Sequence, residues 1–221
     1  MATVLTSPTA TLADLLHELG DIDPARVRLH PPPGTATEQD VLAIQTHEDR
    51  LYELVEYVLV EKIMGFRESC LAGALIEVLR GFVRPRNLGL VTGEAGMMRL
   101  TSGLVRIPDV AFIAWDRLPG RRMPTEAIPG LAPNLAVEVL SEGNTPGEMA
   151  RKRREYFAAG VQLVWLVDPR TRTVEVFTAP EQSVLLHTDH TLDGGAVLPG
   201  FVLSVHELFA ELDSQEDSAD V

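Results

Sequence analysis

Short apolar runs separated by turn-forming residues recur along the chain. Alternating apolar and polar positions over residues 51–62 predict a strand or a hairpin. Apolar residues at three- and four-residue spacing predict a helix over 66–82. Further runs predict strands at 105–113 and 135–140, and Pro108 should kink the first of them because proline cannot donate a ladder hydrogen bond.

The second half of the chain begins with a helix signal. Thr145 and Glu148 form a capping box around a proline at the first helical position, and Gly160 marks the end of that helix. Short strands and a last helix should follow at 162–167, 173–177, 184–186, 195–203 and 206–212. This order, with one strand–helix–strand crossover, predicts an α/β fold in which helices flank a mixed sheet.

The pattern divides the chain into three parts. Residues 1–50 form an N-terminal extension with short helices at 12–19 and 37–49, which we expect to lie on the main domain without carrying chemistry. Residues 51–210 form the main domain. The acidic stretch 211–221 predicts a disordered tail.

Composition adds limits on the class of protein. The 221 residues are 45% hydrophobic, as expected of one packed domain. No apolar run approaches the roughly 20 residues of a membrane span, and the N-terminus lacks the pattern of a secretory signal. Cys70 is the only cysteine, which excludes a disulfide within the chain and favours a cytoplasmic location.

Charge bears on nucleic-acid binding. The net charge of -13 opposes a broad nucleic-acid surface, because phosphate binding needs basic side chains. Basic residues do cluster locally, and these clusters could line a groove: Arg121, Arg122, Arg151, Arg153 and Arg154.

Two carboxylates stand where buried strands should be apolar. Asp109 and Glu138 each lie in a short apolar run, and an unpaired charge in dry surroundings costs several kcal/mol. A shared divalent cation would offset that cost. Two alternatives stay open: Asp109 could end a strand, and Glu138 could pair with Lys152 alone.

Helical spacing adds two residues to this set. Extending the apolar stripe of the 66–82 helix backwards reaches Glu68, and Lys152 shares an inward stripe with Met149 and Tyr156. Carboxylates suit Mg²⁺, and a lysine beside the ion could orient water or stabilise charge on a phosphate. A first-turn glutamate favoured by the helix dipole and a solvated lysine are the alternatives.

These residues lie in strings that resemble the Uma family of restriction-endonuclease-like proteins, a branch of the PD-(D/E)XK nuclease superfamily. The resemblance covers about residues 51 to 209. The strings that carry it are Arg106–Val110, Ala136–Ser141, Lys152 with Tyr156, Gly160–Val161 and Val164–Pro169.

The resemblance implies roles for four residues. Asp109 and Glu138 match the metal ligands of the superfamily motif, and Glu68 matches an acidic residue that assists metal binding. Leu140 replaces the superfamily lysine, which Uma-like sequences carry on the next helix, at the position of Lys152. Tyr57 stands where a glycine is common in the family.

The same resemblance implies a cofactor, a substrate and a partner. The cofactor would be Mg²⁺, with Mn²⁺ as a substitute, the substrate DNA, and the partner a second copy of the chain in a homodimer. The sequence therefore predicts a metal-dependent phosphodiesterase acting as a DNA endonuclease. The alternative is a catalytically silent nuclease-fold module that binds a protein or serves as a scaffold.

Overall fold

The predicted fold class is confirmed. A computed structural model describes residues 11–213, and these form a mixed α/β structure. The predicted acidic tail, residues 211–221, lies mostly outside the described part of the chain.

The described residues contain five α-helices, at the places that the hydrophobic pattern predicts. Thr145 caps the fourth through its hydroxyl, which accepts a hydrogen bond from the backbone N–H of Glu148 at 3.0 Å. The helices are α1 (Leu12–Glu18), α2 (Glu38–Glu48), α3 (Phe66–Val83), α4 (Pro146–Ala158) and α5 (Val205–Ala210).

The strands form three sheets. A five-stranded sheet has the order β1-β3-β2-β6-β5, a six-stranded sheet the order β11-β10-β9-β8-β7-β4, and β12 pairs with β13. Only β8 and β9 are parallel among the described pairs, and α4 is their crossover connection. The strands are β1 (Val27–Arg28), β2 (Tyr52–Val55), β3 (Val58–Glu61), β4 (Gly89–Thr92), β5 (Met98–Thr101), β6 (Leu104–Arg106), β7 (Val110–Ala114), β8 (Leu135–Val139), β9 (Leu163–Asp168), β10 (Thr173–Ala179), β11 (Gln182–Leu186), β12 (Thr191–Gly194) and β13 (Leu198–Ser204).

The strand predicted over 105–113 is in fact two strands in different sheets. β6 ends at Arg106 in the five-stranded sheet, and β7 begins at Val110 in the six-stranded one. Pro108 lies in the break, where its missing N–H costs no ladder hydrogen bond. Asp109 is therefore at the junction between the two sheets, and its side chain is buried.

The six-stranded sheet is covered on both faces. Val137 and Val139 of β8 belong to the core that α3 and α5 complete on one face. Ala136 packs with Met149 and Tyr156 of α4 on the other face. Side chains alternate along a strand, so Glu138 points toward α4, like Ala136.

The β2–β3 hairpin has a turn of the kind that favours glycine. Glu56 and Tyr57 form its two-residue turn and both have positive φ, 51° and 62°. Such a turn favours glycine, since a side chain at positive φ is strained. The Tyr57 hydroxyl lies 2.9 Å from the Ser102 hydroxyl, a hydrogen bond that holds the ring over the neighbouring turn.

The described part of the N-terminal extension, residues 11–50, packs on this framework. β1 pairs with β3, and α2 packs on the five-stranded sheet through Val41 and Ile44. Within residues 11–213, the helices are too short or too polar to cross a membrane.

Candidate active site

Three of the four predicted site residues meet in the fold. Val110 pairs with Val137 in the antiparallel β7–β8 ladder, so the same register places Asp109 opposite Glu138. Lys152 projects from α4 onto that position, and its Nζ lies 3.1 Å from Glu138 Oε2. All three side chains are at most 5% exposed.

Both carboxylate oxygens of Asp109 are engaged. Oδ1 lies 2.6 Å from the Nζ of Lys62, and Oδ2 accepts the backbone N–H of Val139 at 2.6 Å. Lys62 also donates to the carbonyl of Ile107 at 2.5 Å. The aspartate is thus fixed from the β3 end and from the β8 backbone, and Lys62 is a site residue that the sequence analysis missed.

Glu138 is held by two donors from α4. Its Oε1 accepts the Tyr156 hydroxyl at 2.5 Å, and its Oε2 faces Lys152. Burial raises the pKa of Glu138, and the nearby Asp109 carboxylate adds to the shift. Burial also raises the pKa of Tyr156 well above 10, so that hydroxyl remains a donor at neutral pH.

Glu53 of β2 is a third buried carboxylate at this position, and the sequence pattern had not singled it out. Its Oε2 lies 2.6 Å from Arg106 and 3.3 Å from Lys152, while Oε1 accepts the backbone N–H of Ile107 at 3.0 Å. Burial alone would raise the pKa of Glu53, but the charges of Lys152 and Arg106 outweigh it and hold that pKa well below the usual range. All four residues of β2 are buried, so the argument applied to Glu138 could have found Glu53.

Lysine and arginine charges remain intact in this cluster. Burial opposes the charge of Lys152, yet Glu138 and Glu53 outweigh it and raise the pKa of that ammonium. Arg106 behaves alike: despite its burial, Glu155 and Glu53 raise its pKa. We call the following six residues the charged cluster: Glu53, Lys62, Arg106, Asp109, Glu138 and Lys152.

Within residues 11–213, Glu68 makes no hydrogen bond or ion pair with the charged cluster. It lies in the first turn of α3, partly exposed, and its Oε2 folds back over Gly65, where an added Cβ would lie 2.3 Å away. Among residues 11–213, no hydrogen bond or ion pair links it to Asp109 or Glu138. Its place is that of a first-turn glutamate.

The basic residues expected to line a groove divide into two groups. Arg151 is paired with Glu56 and Glu155 at 2.9 and 2.7 Å, and Arg153 with Glu181 at 3.2 Å. These charges are therefore neutralised within the protein. The others are exposed and make no ion pair within the described residues: Arg121, Arg122 and Arg154.

The oxygen donors suit a hard cation. Magnesium usually takes one or two carboxylates and completes its shell with water or substrate oxygens, and Asp109 and Glu138 are neighbours at one point of the sheet. No cluster of three or more histidine, cysteine or acidic side chains within residues 11–213 forms a metal site. Asp109 and Glu138 would supply two carboxylates, and the ammonium groups of Lys62 and Lys152 would have to release part of their contacts with them.

A cleft is lined by one member of the charged cluster, Lys62, and by neither Asp109 nor Glu138. It encloses about 480 Å³, reaches Lys62, and carries both signs of charge from Arg50, Glu61 and Glu94. A second, mainly apolar cavity of about 430 Å³ lies between the end of α3, β4 and the loop around Met123. None of the charged cluster lines that second cavity.

Known proteins share this fold. A crystal structure described as a "putative nuclease belonging to DUF820" from Anabaena variabilis has a TM-score of 0.66 to this chain at 21% identity, covering 74% of this chain and 92% of that chain. No curated protein matches the sequence. Residues 38–206 match the model of the Uma2 family, described as "Putative restriction endonuclease". Because this match spans well over half of the chain, the protein belongs to the Uma2 family, as its resemblance predicts.

Proposed function

We propose that the protein is a metal-dependent phosphodiesterase, an endonuclease acting on DNA. One observation carries this proposal. Asp109 and Glu138 lie side by side and buried at the junction of two sheets, and the Lys152 ammonium group contacts the Glu138 carboxylate. Membership in a family described as restriction endonucleases supports the same reaction class.

The proposed roles follow from the contacts. Asp109 and Glu138 would hold Mg²⁺, or Mn²⁺ in its place, and the bound ion would supply polarisation of the phosphate and a more acidic water. Lys152 would orient the attacking water or stabilise charge on the phosphate. Tyr156 and the backbone N–H of Val139 fix the two carboxylates so that each keeps one orientation.

The charge balance of the cluster predicts how metal and substrate cooperate. Within the charged cluster three acidic side chains face three basic ones, so their formal charges balance. A bound divalent cation would add two positive charges in buried surroundings, and the negative charge of a phosphodiester would offset part of them. We therefore expect Mg²⁺ to bind more tightly when a phosphodiester is present.

We assign Glu68 no ligand role. Its side chain lies over Gly65, and within residues 11–213 it makes no hydrogen bond or ion pair with the charged cluster. The family resemblance implies that Glu68 assists metal binding, and substitution of Glu68 distinguishes the two roles.

The central test is cleavage of plasmid DNA by purified protein in Mg²⁺ or Mn²⁺. Asp109→Asn and Glu138→Gln should each lower the rate by at least roughly 100-fold, since metal stabilisation of the transition state is worth several kcal/mol. Glu175→Gln, which replaces a partly exposed glutamate that accepts a hydrogen bond from Ser183, is the matched control and should cleave like the wild type. Wild-type rates in the two site variants would refute the site assignment.

One observation favours the silent module. The formal charges of the cluster already balance without a metal ion, in a chain whose net charge is -13. Calorimetry separates the two functions: an enzyme should bind Mg²⁺ or Mn²⁺ in the presence of a short uncleavable phosphodiester, and Asp109→Asn should abolish that binding. A silent module should give no metal-dependent heat in either protein.

A further inference from the structure

Arg26 is a buried arginine outside the stretch that matches the family, residues 38–206. It ends the short 3₁₀ turn Pro24–Arg26, just before β1, and is 3% exposed. Its guanidinium makes two hydrogen bonds to the carboxylate of Glu148, at 2.7 and 2.9 Å. It also donates to two backbone carbonyls, those of Glu61 at 3.0 Å and Gly143 at 3.2 Å.

Each acceptor belongs to a segment that carries one residue of the charged cluster. Glu61 directly precedes Lys62. Gly143 lies in the loop that follows Glu138 and its strand. Glu148 is in the first turn of α4, one turn before Lys152. A single guanidinium thus joins the end of β3 to the loop before α4 and to the first turn of α4, two segments that are neighbours in sequence but far from β3 along the chain.

Other residues of the N-terminal extension also contact the start of α4. Gly20, which ends the turn after α1, approaches Gly147 so closely that a Cβ on Gly147 would lie 2.7 Å from the Gly20 carbonyl oxygen. The Thr145 hydroxyl donates to that carbonyl, and Arg151 donates to the carbonyl of Glu18. The start of α4 is therefore packed against residues 18–26.

We propose that Arg26 is a positioning residue of the candidate active site, a role that rests on the proposed function. Its planar fork offers five donors in a fixed geometry, so it can fix the relative places of three segments where a lysine would fix fewer. It touches none of the reacting groups. It acts through the backbone that places Lys62, Glu138 and Lys152.

The kinetic test compares Arg26→Met with Arg28→Met. Arg28 lies two residues on, in β1, and makes the same two-bond contact with a glutamate, Glu48, but at the surface. Arg26→Met should lower kcat for Mg²⁺-dependent DNA cleavage by roughly 10- to 100-fold, because small displacements of reacting groups cost that much. The KM for DNA should stay unchanged, Arg26→Lys should recover part of kcat, and Arg28→Met should behave like the wild type.

A second variant separates positioning from stability. Arg26→Met leaves the Glu148 carboxylate buried without its partner and could unfold the protein. The double variant Arg26→Met/Glu148→Leu replaces the ion pair by apolar groups, a change that buried pairs often tolerate. We expect a Tm close to the wild-type value and a kcat that is still low. A wild-type kcat in this double variant would overturn the proposal.

Hydrogen exchange tests the proposal without any activity. Arg26→Met should speed exchange of backbone amides in 59–62, 139–144 and 146–152, and Arg28→Met should not. Unchanged exchange in these segments would overturn the positioning role. If the wild type cleaves no DNA while exchange responds as expected, the proposed function fails and the link between the three segments stands.

Discussion

Tyr156 shows how one hydroxyl fixes a carboxylate. It is fully buried, and its hydroxyl donates to Glu138 at 2.5 Å, opposite the Lys152 contact. Without that donor, the Glu138 carboxylate keeps only its contact with the Lys152 ammonium group, and its side chain can rotate more freely.

Tyr156→Phe should therefore lower the free energy of unfolding by about 2 kcal/mol, the range for hydrogen bonds to charged groups. Urea denaturation at neutral pH measures this change in the free energy of unfolding. Tyr57→Phe is the matched control, since its hydroxyl bonds Ser102 in an exposed turn, and it should change stability by less than about 0.5 kcal/mol. Equal losses in both variants would contradict the role of the Tyr156 hydroxyl.

The residue scale also shows what spacing alone reveals. Asp109, Glu138 and Lys152 were found from carboxylates in apolar strands and from an inward helical stripe, and all three are buried together. Lys62 gave no such signal, because it stands next to Glu61 at the end of β3, where a charged pair is expected at the surface. Its contact with Asp109 depends on how the β2–β3 hairpin lies against the break at Pro108.

At the scale of elements, helices and caps follow the sequence closely. Thr145 caps α4 through its hydroxyl as predicted, but the Glu148 carboxylate binds Arg26 and does not close the capping box. The apolar face of α3 packs on the core through Leu71, Leu75 and Leu79. Extending that apolar face to Glu68 proved less informative. A first-turn side chain is near the helix end, where the dipole accounts for an acidic residue without any ligand role.

Glu68→Gln tests that interpretation. It should lower the free energy of unfolding by about 0.3–1 kcal/mol through the weaker dipole interaction, and leave Mg²⁺-dependent cleavage unchanged. Chemical denaturation and the plasmid assay, with Asp109→Asn alongside, measure both effects. A loss of cleavage like that of Asp109→Asn would instead give Glu68 the metal-supporting role that the resemblance implies.

The whole molecule is acidic, and many of its basic side chains are paired internally. Counterion release makes DNA affinity fall with salt in proportion to the phosphates contacted. The arginines exposed without an ion pair in the described part of the chain include Arg121, Arg122 and Arg154.

Fluorescence anisotropy with duplex DNA, with Ca²⁺ in place of Mg²⁺, tests this view. We expect weak binding, and Arg154→Gln should reduce the slope of log affinity against log salt by about 1, as the loss of one phosphate contact does. Arg170→Gln, whose charge is paired with Asp168, should leave the slope unchanged. An equal effect of both variants would remove Arg154 from the DNA contact surface.

The sequence by itself determined the helices, most of the strands, the mixed α/β class and the two carboxylates in apolar runs, because hydrophobic periodicity and capping are local properties of the chain. Tertiary structure alone decided which distant segments meet. It placed Asp109 opposite Glu138 at the point where one predicted strand divides between two sheets, added Glu53 and Lys62 to the same site, and brought Arg26 to Glu148. Periodicity carries no information on the pairing of distant segments, and these contacts depend on that pairing.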